Sequence, residues 1–310
     1  MGIISPITGL SNVRLVGKIS AKTIIRRYKR FFQIDVSRFF KNLDEVNTYE
    51  CLDSGYIFFH PFGLEGDSDF YGHFKDMSWY YMDWKWEYKE ALAYVQPGTD
   101  VLEIGCAKGA FLKKMAGKGA RAVGLELSKD AALAGRNEGL RILEESIEEH
   151  AKNNPGKYDF ICFFQVLEHV EDVRGFMEAA KGALKPGGKI FVSVPNNGSF
   201  VSRDRHPSLN LPPHHAGLWN HRSLLSLGHV FSLETENILI EPLQDYHLPF
   251  YYQVNYGYDV IGMTGRIIGK VLNKLARPAF CIFLKPFSRD MIGHTIAAVY
   301  KKADKTRIKP

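Results

Sequence analysis

Two groups of residues have the types and spacing to do chemistry. The first is a pair of acids around a turn of small residues. In VLEIGCAKGAFL, residues 101–112, Glu103 precedes Gly105-Cys106-Ala107-Lys108-Gly109, and Glu126 closes the next apolar run, ARAVGLEL. Such a turn lets backbone N–H groups approach a ligand at the positive end of a helix. A carboxylate beside it suits a ligand with positive charge and amine donors, and suits a pyrophosphate poorly. The spacing lacks GxxxxGK[ST], and GxGxxG would require glycine at Ala107 and Ala110. It matches ExGxGxG with Ala107 in the middle glycine's place. Glu126 is placed to accept from two ribose hydroxyls. The second group is a histidine-rich stretch, residues 196–224, with His206, His214, His215, Trp219 and His221. A neutral imidazole near pH 7 suits a general base.

The surrounding pattern says what must position these groups. Residues 101–104 are short, apolar and β-branched after Pro97-Gly98, which reads as a buried parallel strand. Phe111, Leu112 and Met115 then recur at helical spacing. Residues 120–127, 141–142, 158–164 and 184–195 read as further strands, the last entered through Pro-Gly-Gly. A sixth strand is expected within 231–243, and an antiparallel edge strand at 293–302. Strands alternating with helical segments predict an α/β fold with a mostly parallel sheet, whose sites lie at the carboxyl ends of the strands. There the fourth strand runs into QVLEHVEDV, bringing Gln165 and His169 to the same end.

Taken together, VLEIGCAKGAFL, GLELS, DFICFFQVLEHVEDV and LKPGGKIFVSVPN resemble the class I S-adenosylmethionine-dependent methyltransferases. PPHHAGLWN and the segment before the core are similar to those of bacterial sugar and polysaccharide pathways. The resemblance implies a Rossmann-like seven-stranded sheet with an antiparallel last strand, helices on both faces and an N-terminal extension. It implies S-adenosylmethionine as cofactor, with Gly105, Cys106, Ala107 and Gly109 on its methionine and ribose side. It places Glu103 near the amino group, Glu126 on the ribose and Leu127 against the adenine. Ile147, with Ser146 and Glu148, matches the adenine-edge segment. Gln165 and His169 fall beside the sulfonium. Tyr81, with Tyr80, is either packing or a lid whose rings meet that cation. The resemblance further implies a small-molecule or glycan acceptor and favours a sugar hydroxyl over carbon or nitrogen; for a hydroxyl, His214 or His215 is the candidate base, and the sequence does not choose between them.

Residues 1–87 are assigned to a basic and aromatic extension and 88–310 to the catalytic domain, with 196–222 as the acceptor loop. Some relatives carry a zinc knuckle near residue 51, but Cys51 is followed by Ser54, so no zinc is expected, and the histidines lack a carboxylate at ligand spacing. The run WYYMDWKWEYKEAL reads as a helix. Residues 261–277 read as a basic amphipathic helix ended by Pro278.

Four scattered cysteines give no disulfide framework, and the first residues show no secretory h-region, so a cytoplasmic protein is expected. The net charge of +6 is uneven: no acid precedes Asp35, and after Ile261 only Asp290 and Asp304 oppose the bases. Basic ends suit solvated helix faces, a homodimer contact or peripheral attachment at an inner membrane face; nucleic acid is not favoured. Two other readings remain at this stage. A nicotinamide-dependent oxidoreductase or epimerase would use the same loop, but GxGxxG and a downstream YxxxK are missing. A non-catalytic module would bind S-adenosylmethionine or RNA.

Overall fold

The structure, a computed structural model, describes residues 2–74, 77, 80, 82–204, 209–257 and 266–304. It begins with strand β1 (Val13–Ser20) and helix α1 (Ala21–Phe32). The Ser20 hydroxyl starts α1 by accepting from the Thr23 N–H, a common N-cap. Strands β2 (Glu45–Cys51) and β3 (Ile57–His60) follow, then the short helices α2 (Ser68–Gly72) and α3 (Trp86–Leu92). Among the described residues of the aromatic run expected as one helix, the helix begins at Trp86; residues 79 and 81 lie outside the described residues.

The central sheet contains β4 (Asp100–Ile104), β5 (Arg121–Leu125), β6 (Ile142–Leu143), β7 (Tyr158–Phe164) and β8 (Leu184–Pro195). Helices α4 (Ala110–Gly117), α5 (Lys129–Asn137), α6 (Ile147–Asn153) and α7 (Val173–Ala183) connect these strands. After β9 (Gly217–Leu218) come α8 (His221–Val230), β10 (Leu233–Pro242), α9 (Leu248–Tyr252), α10 (Arg266–Leu284) and β11 (Ile292–Lys302). The seven strands run in the order β10-β11-β8-β7-β4-β5-β6. All neighbours from β8 to β6 are parallel, and β11 lies antiparallel to both β8 and β10. This is the expected Rossmann-like α/β fold. The third strand sits one residue later than expected, at Ile142–Leu143.

Successive residues in a strand face opposite sides, and here both sides are covered. Leu102, Ile104, Ile161, Phe163, Ile190 and Val192 pack in one core cluster. The intervening Val101, Phe160, Cys162, Phe164 and Phe191 pack in another.

A second, four-stranded antiparallel sheet, β1-β2-β3-β9, decides the shape of the acceptor loop. Strand β9 comes from that loop and pairs Leu218 with Ile57 and Gly217 with Phe58. Gly217 is required by space: an added Cβ would lie 1.8 Å from the Tyr56 hydroxyl. Trp219 is fully buried, its ring 4.5 Å from that of Tyr56. Ile7, Cys51, Tyr56 and Phe58 share their cluster with the central sheet, so the first residues and the catalytic core are packed as one body.

The helix expected to stop at Pro278 continues through it to Leu284. Proline lacks one backbone donor but can persist in a helix whose neighbours hold it in place. Phe280 does this here, lying between the rings of Tyr252 and Tyr256 at 5.0 and 4.9 Å.

Candidate active site

The carboxyl ends of β4, β5, β7 and β8 open into a cleft of about 1530 Å³. Pockets for drug-sized ligands run to about 300–1,000 Å³, so this cleft is large enough for two ligands.

One half is built by the β4–α4 turn. Gly105 and Gly109 have φ of 71° and 82°, and an added Cβ would meet Val166 at 2.6 Å and Leu140 at 2.3 Å respectively. Both positions need glycine for backbone and for space. Ala107 also adopts a left-handed φ, 48°, so the missing middle glycine is replaced by a residue holding that conformation at some cost. Its N–H is fixed by donating to Glu126 Oε2 at 2.9 Å, while Glu126 Oε1 accepts from the Ser128 N–H at 2.7 Å. Each oxygen keeps a lone pair for a further donor. Glu103 is 2% exposed, and its Oε2 has no hydrogen-bond partner among the described residues. Burial pushes its carboxyl well above the usual range, with Lys85 opposing that shift. A buried acid with an idle oxygen is ready for a cationic donor.

The other half is a cage of imidazoles. The rings of His214 and His215 stack at 4.6 Å, and His169 meets them edge-on at 4.8 and 5.1 Å. Each ring directs Nδ1 at an oxygen: His169 at the His214 carbonyl, His214 at the Leu209 carbonyl (3.0 Å), and His215 at Asn210 Oδ1 (3.0 Å). The Asn210 amide is oriented because its Nδ2 donates to Asn197 Oδ1 at 2.7 Å. Those contacts assign the proton of His215 to Nδ1 and the lone pair to Nε2. Here the two candidates differ. His214 Nε2 accepts from the Tyr80 hydroxyl at 2.8 Å. His215 Nε2 meets no hydrogen-bond partner among the described residues. One ring nitrogen from each of the three histidines lies within 4.8 Å of the others, but both nitrogens of His214 are already engaged, with Leu209 and Tyr80. Burial holds His169 down to about 4 and pushes His214 and His215 well below their ordinary value.

Charge is one-sided. Eleven carboxylate side chains line the cleft against two cationic ones, Lys85 and Lys108. Burial raises Glu87 and Glu126, and lifts Glu168 to about 8. Such a cleft repels a diphosphate and attracts a cation.

Residues 78–237, just over half of the chain, match the family described as "Methyltransferase domain". The chain belongs to that family. The methyl donor of the class I methyltransferases, S-adenosylmethionine, fits the observed residues: the domain offers an idle buried carboxylate at Glu103, a glycine-dependent cradle and two hydroxyl acceptors on Glu126. Among curated relatives, the ubiquinone biosynthesis O-methyltransferase of Sodalis glossinidius is 34% identical over 105 residues, 32% of this chain and 42% of that protein. The chain thus spans less than half the length of the curated relatives it matches. A SAM-dependent methyltransferase from Archaeoglobus fulgidus shares 16% identity at a TM-score of 0.49, over 69% of this chain and 90% of that one. Geranyl diphosphate C-methyltransferase from Streptomyces coelicolor, solved with S-adenosyl-L-homocysteine, shares 14% at 0.47, over 70% and 80%. Both structural likenesses are too loose to add to the sheet order.

Within the methyltransferase domain, the cleft gathers Glu103, Gly105, Cys106, Ala107, Glu126, Leu127, Ile147, Gln165, His169, His214 and His215. Gly109 is not among its lining residues and stands at the N-cap of α4. Leu127 presents an exposed side chain, while Ile147 is buried beside it at the start of α6. Tyr81 and His206 lie outside the described residues. Sequence reasoning missed Lys85, Glu87, Glu168, His247 and His294, all at the cleft. It also missed Glu241, buried behind the cleft wall, which accepts from the Thr295 N–H at 2.8 Å and the Tyr246 hydroxyl at 2.9 Å. His294 had a usable signal. An antiparallel last strand begins where its parallel neighbours end, so its first residues must face the site.

Glu126→Ala removes the acceptor that both anchors Ala107 and remains open to hydroxyl donors. Hydrogen bonds to charged groups contribute about 1.5–3 kcal/mol, so affinity for S-adenosylmethionine is expected to fall about 10–100-fold by titration calorimetry. Unchanged affinity would remove Glu126 from the donor site.

Proposed function

We propose that this protein transfers a methyl group from S-adenosylmethionine to a hydroxyl of an uncharged small-molecule or glycan acceptor, with His215 as the general base. The observation that carries the reading is the acidic cleft, eleven carboxylates to two lysines, with the unpartnered Glu103 beside the turn. That balance favours a cationic cofactor over a dinucleotide, and disfavours phosphorylated acceptors.

S-adenosylmethionine supplies a methyl group whose leaving group is a neutral thioether, so no electrophilic metal is needed. Glu103 would hold the ammonium end and Glu126 the ribose hydroxyls, with the Gly105–Ala107 turn between them. Holding two reactants together in this way can contribute about 7–11 kcal/mol. Asn210 keeps the His215 lone pair on Nε2, on a residue that lines the cleft. That nitrogen accepts the acceptor's hydroxyl proton, a role that adds about 10²–10⁴-fold. The neutral state this needs is secured by burial. A sugar hydroxyl suits a wall that alternates rings with hydrogen-bonding groups: Tyr71, His169, Asn210 and Phe250.

Separate calorimetric titrations with S-adenosylmethionine and NADH test the cofactor, and transfer of radiolabelled methyl to a panel of neutral sugars, sugar nucleotides and phenols tests the acceptor. Binding of S-adenosylmethionine alone, with label on a neutral sugar, is the expected result. Binding of NADH alone would overturn the whole reading. Label on phenols but not sugars would overturn only the glycan acceptor.

A further inference from the structure

Helix α10 and the turn after it carry an apolar face turned outward. Ile268, Val271, Leu272, Leu275, Ile282 and Phe283 are 43–75% exposed, and Phe287 just beyond is 56% exposed. At 3.6 residues per turn the six helical positions, with exposed Ala279 among them, fall within an arc of about 120°. Soluble proteins expose single apolar side chains routinely, but a continuous stripe of this kind marks an interaction surface.

The helix is held from its other side. Phe280 sits between Tyr252 and Tyr256, Asn273 Nδ2 donates to Gln253 Oε1 at 3.1 Å, and Cys281 and Leu284 pack against Leu243, Leu248 and Val254. With that face committed to α9 and the turn after it, the outward stripe has no partner among the described residues. The segment it is fastened to forms one wall of the cleft, through Pro249 and Phe250.

Charge selects the occupant. From Arg266 through Arg289 there are six cationic residues and no acidic one. Lys274 and Arg277 are exposed on the helix, and Arg289 follows it. Two copies meeting through this stripe would bring like charges together, which disfavours self-association. An apolar stripe among bases with no acid is the pattern of a helix lying in the plane of an anionic bilayer. No described helix is long and apolar enough to cross one. We propose that α10 docks this protein on an anionic lipid surface, inserting Leu275, Ile282 and Phe283 among the acyl chains, with the cleft wall beside it. This rests on the helix alone and holds whatever the acceptor is.

The test is flotation of the purified full chain with vesicles of phosphatidylcholine alone or with 30% phosphatidylglycerol, for the parent and for Leu275→Glu/Ile282→Glu. The substituted residues lie on the exposed stripe, away from the cleft. The expected result is flotation with the mixed vesicles at least 10-fold above phosphatidylcholine alone, reduced at high salt, and lost in the variant while its affinity for S-adenosylmethionine is unchanged. Absence of flotation, equal binding to both vesicles, or a parent dimer in sedimentation that the variant dissolves would each overturn the proposal.

Discussion

His215→Ala is expected to lower kcat by about 10²–10⁴-fold while leaving affinity for S-adenosylmethionine within about threefold. The two effects separate because His215 stands in the imidazole half of the cleft, away from the Glu103–Glu126 turn. Asn210→Leu should give part of the same loss. It removes the oxygen that holds the proton on His215 Nδ1, so the free ring can place its proton on Nε2 and lose its base form toward the cleft. His214→Asn should act differently. Both His214 nitrogens are engaged, with Leu209 and Tyr80, so its replacement should disturb loop stability more than turnover. Single-turnover methyl transfer under saturating donor, alongside calorimetry, checks all three. Full turnover in His215→Ala would exclude the base assignment.

The second large effect concerns pH. Glu168 is raised to about 8 and Glu241 to about 7, and Glu103 lies well above the usual range, all chiefly through burial. The folded protein keeps these protons after the unfolded chain has released them, so stability is lost as pH rises through the folded values. Below pH 6.5 an opposite contribution enters. His169 and His294 are held at about 4, and His214, His215 and His247 are pushed down too, so the unfolded chain binds the protons there. The two sets offset one another at mildly acid pH, and the acids dominate once the unfolded histidines have lost their protons, above about pH 7. At about 1.4 kcal/mol per unit per group, Glu168 and Glu241 together should lose roughly 2 kcal/mol between pH 7 and 9, with Glu103 acting in the same direction. Urea unfolding at the two pH values measures this. Glu168→Gln should flatten part of the slope, and saturating S-adenosylmethionine should flatten it further by giving Glu103 a cationic partner. Equal stability at both values would contradict the burial of these carboxyls.

The cofactor half of the site was legible in the sequence because its parts are local. A five-residue turn, an acid before it and an acid ending the next strand are fixed by chain order, since consecutive strands and helices must alternate and sites collect at the carboxyl ends. Gly105, Ala107, Glu103 and Glu126 came together for that reason. Gly109, read with them, stands at the N-cap of α4, a position its left-handed φ of 82° suits. The end of α10 was misjudged because proline breaks an isolated helix, whereas Tyr252 and Tyr256 hold this one through Pro278.

The acceptor half depended on distant contacts. His214 and His215 are adjacent and chemically identical, and only Tyr80, Asn210 and Leu209 distinguish their nitrogens. Leu209 and Asn210 each lie five residues before the ring they meet, but Tyr80 reaches His214 from 134 residues away. The sequence by itself determined the sheet, its site-bearing end and the pair of acids, since periodicity and chain order follow from local backbone geometry. Tertiary structure alone decided which imidazole keeps a free lone pair, which carboxyls stay protonated and which helix face is left bare. Those properties are set by desolvation and by neighbours far away in the chain, and spacing carries no record of either.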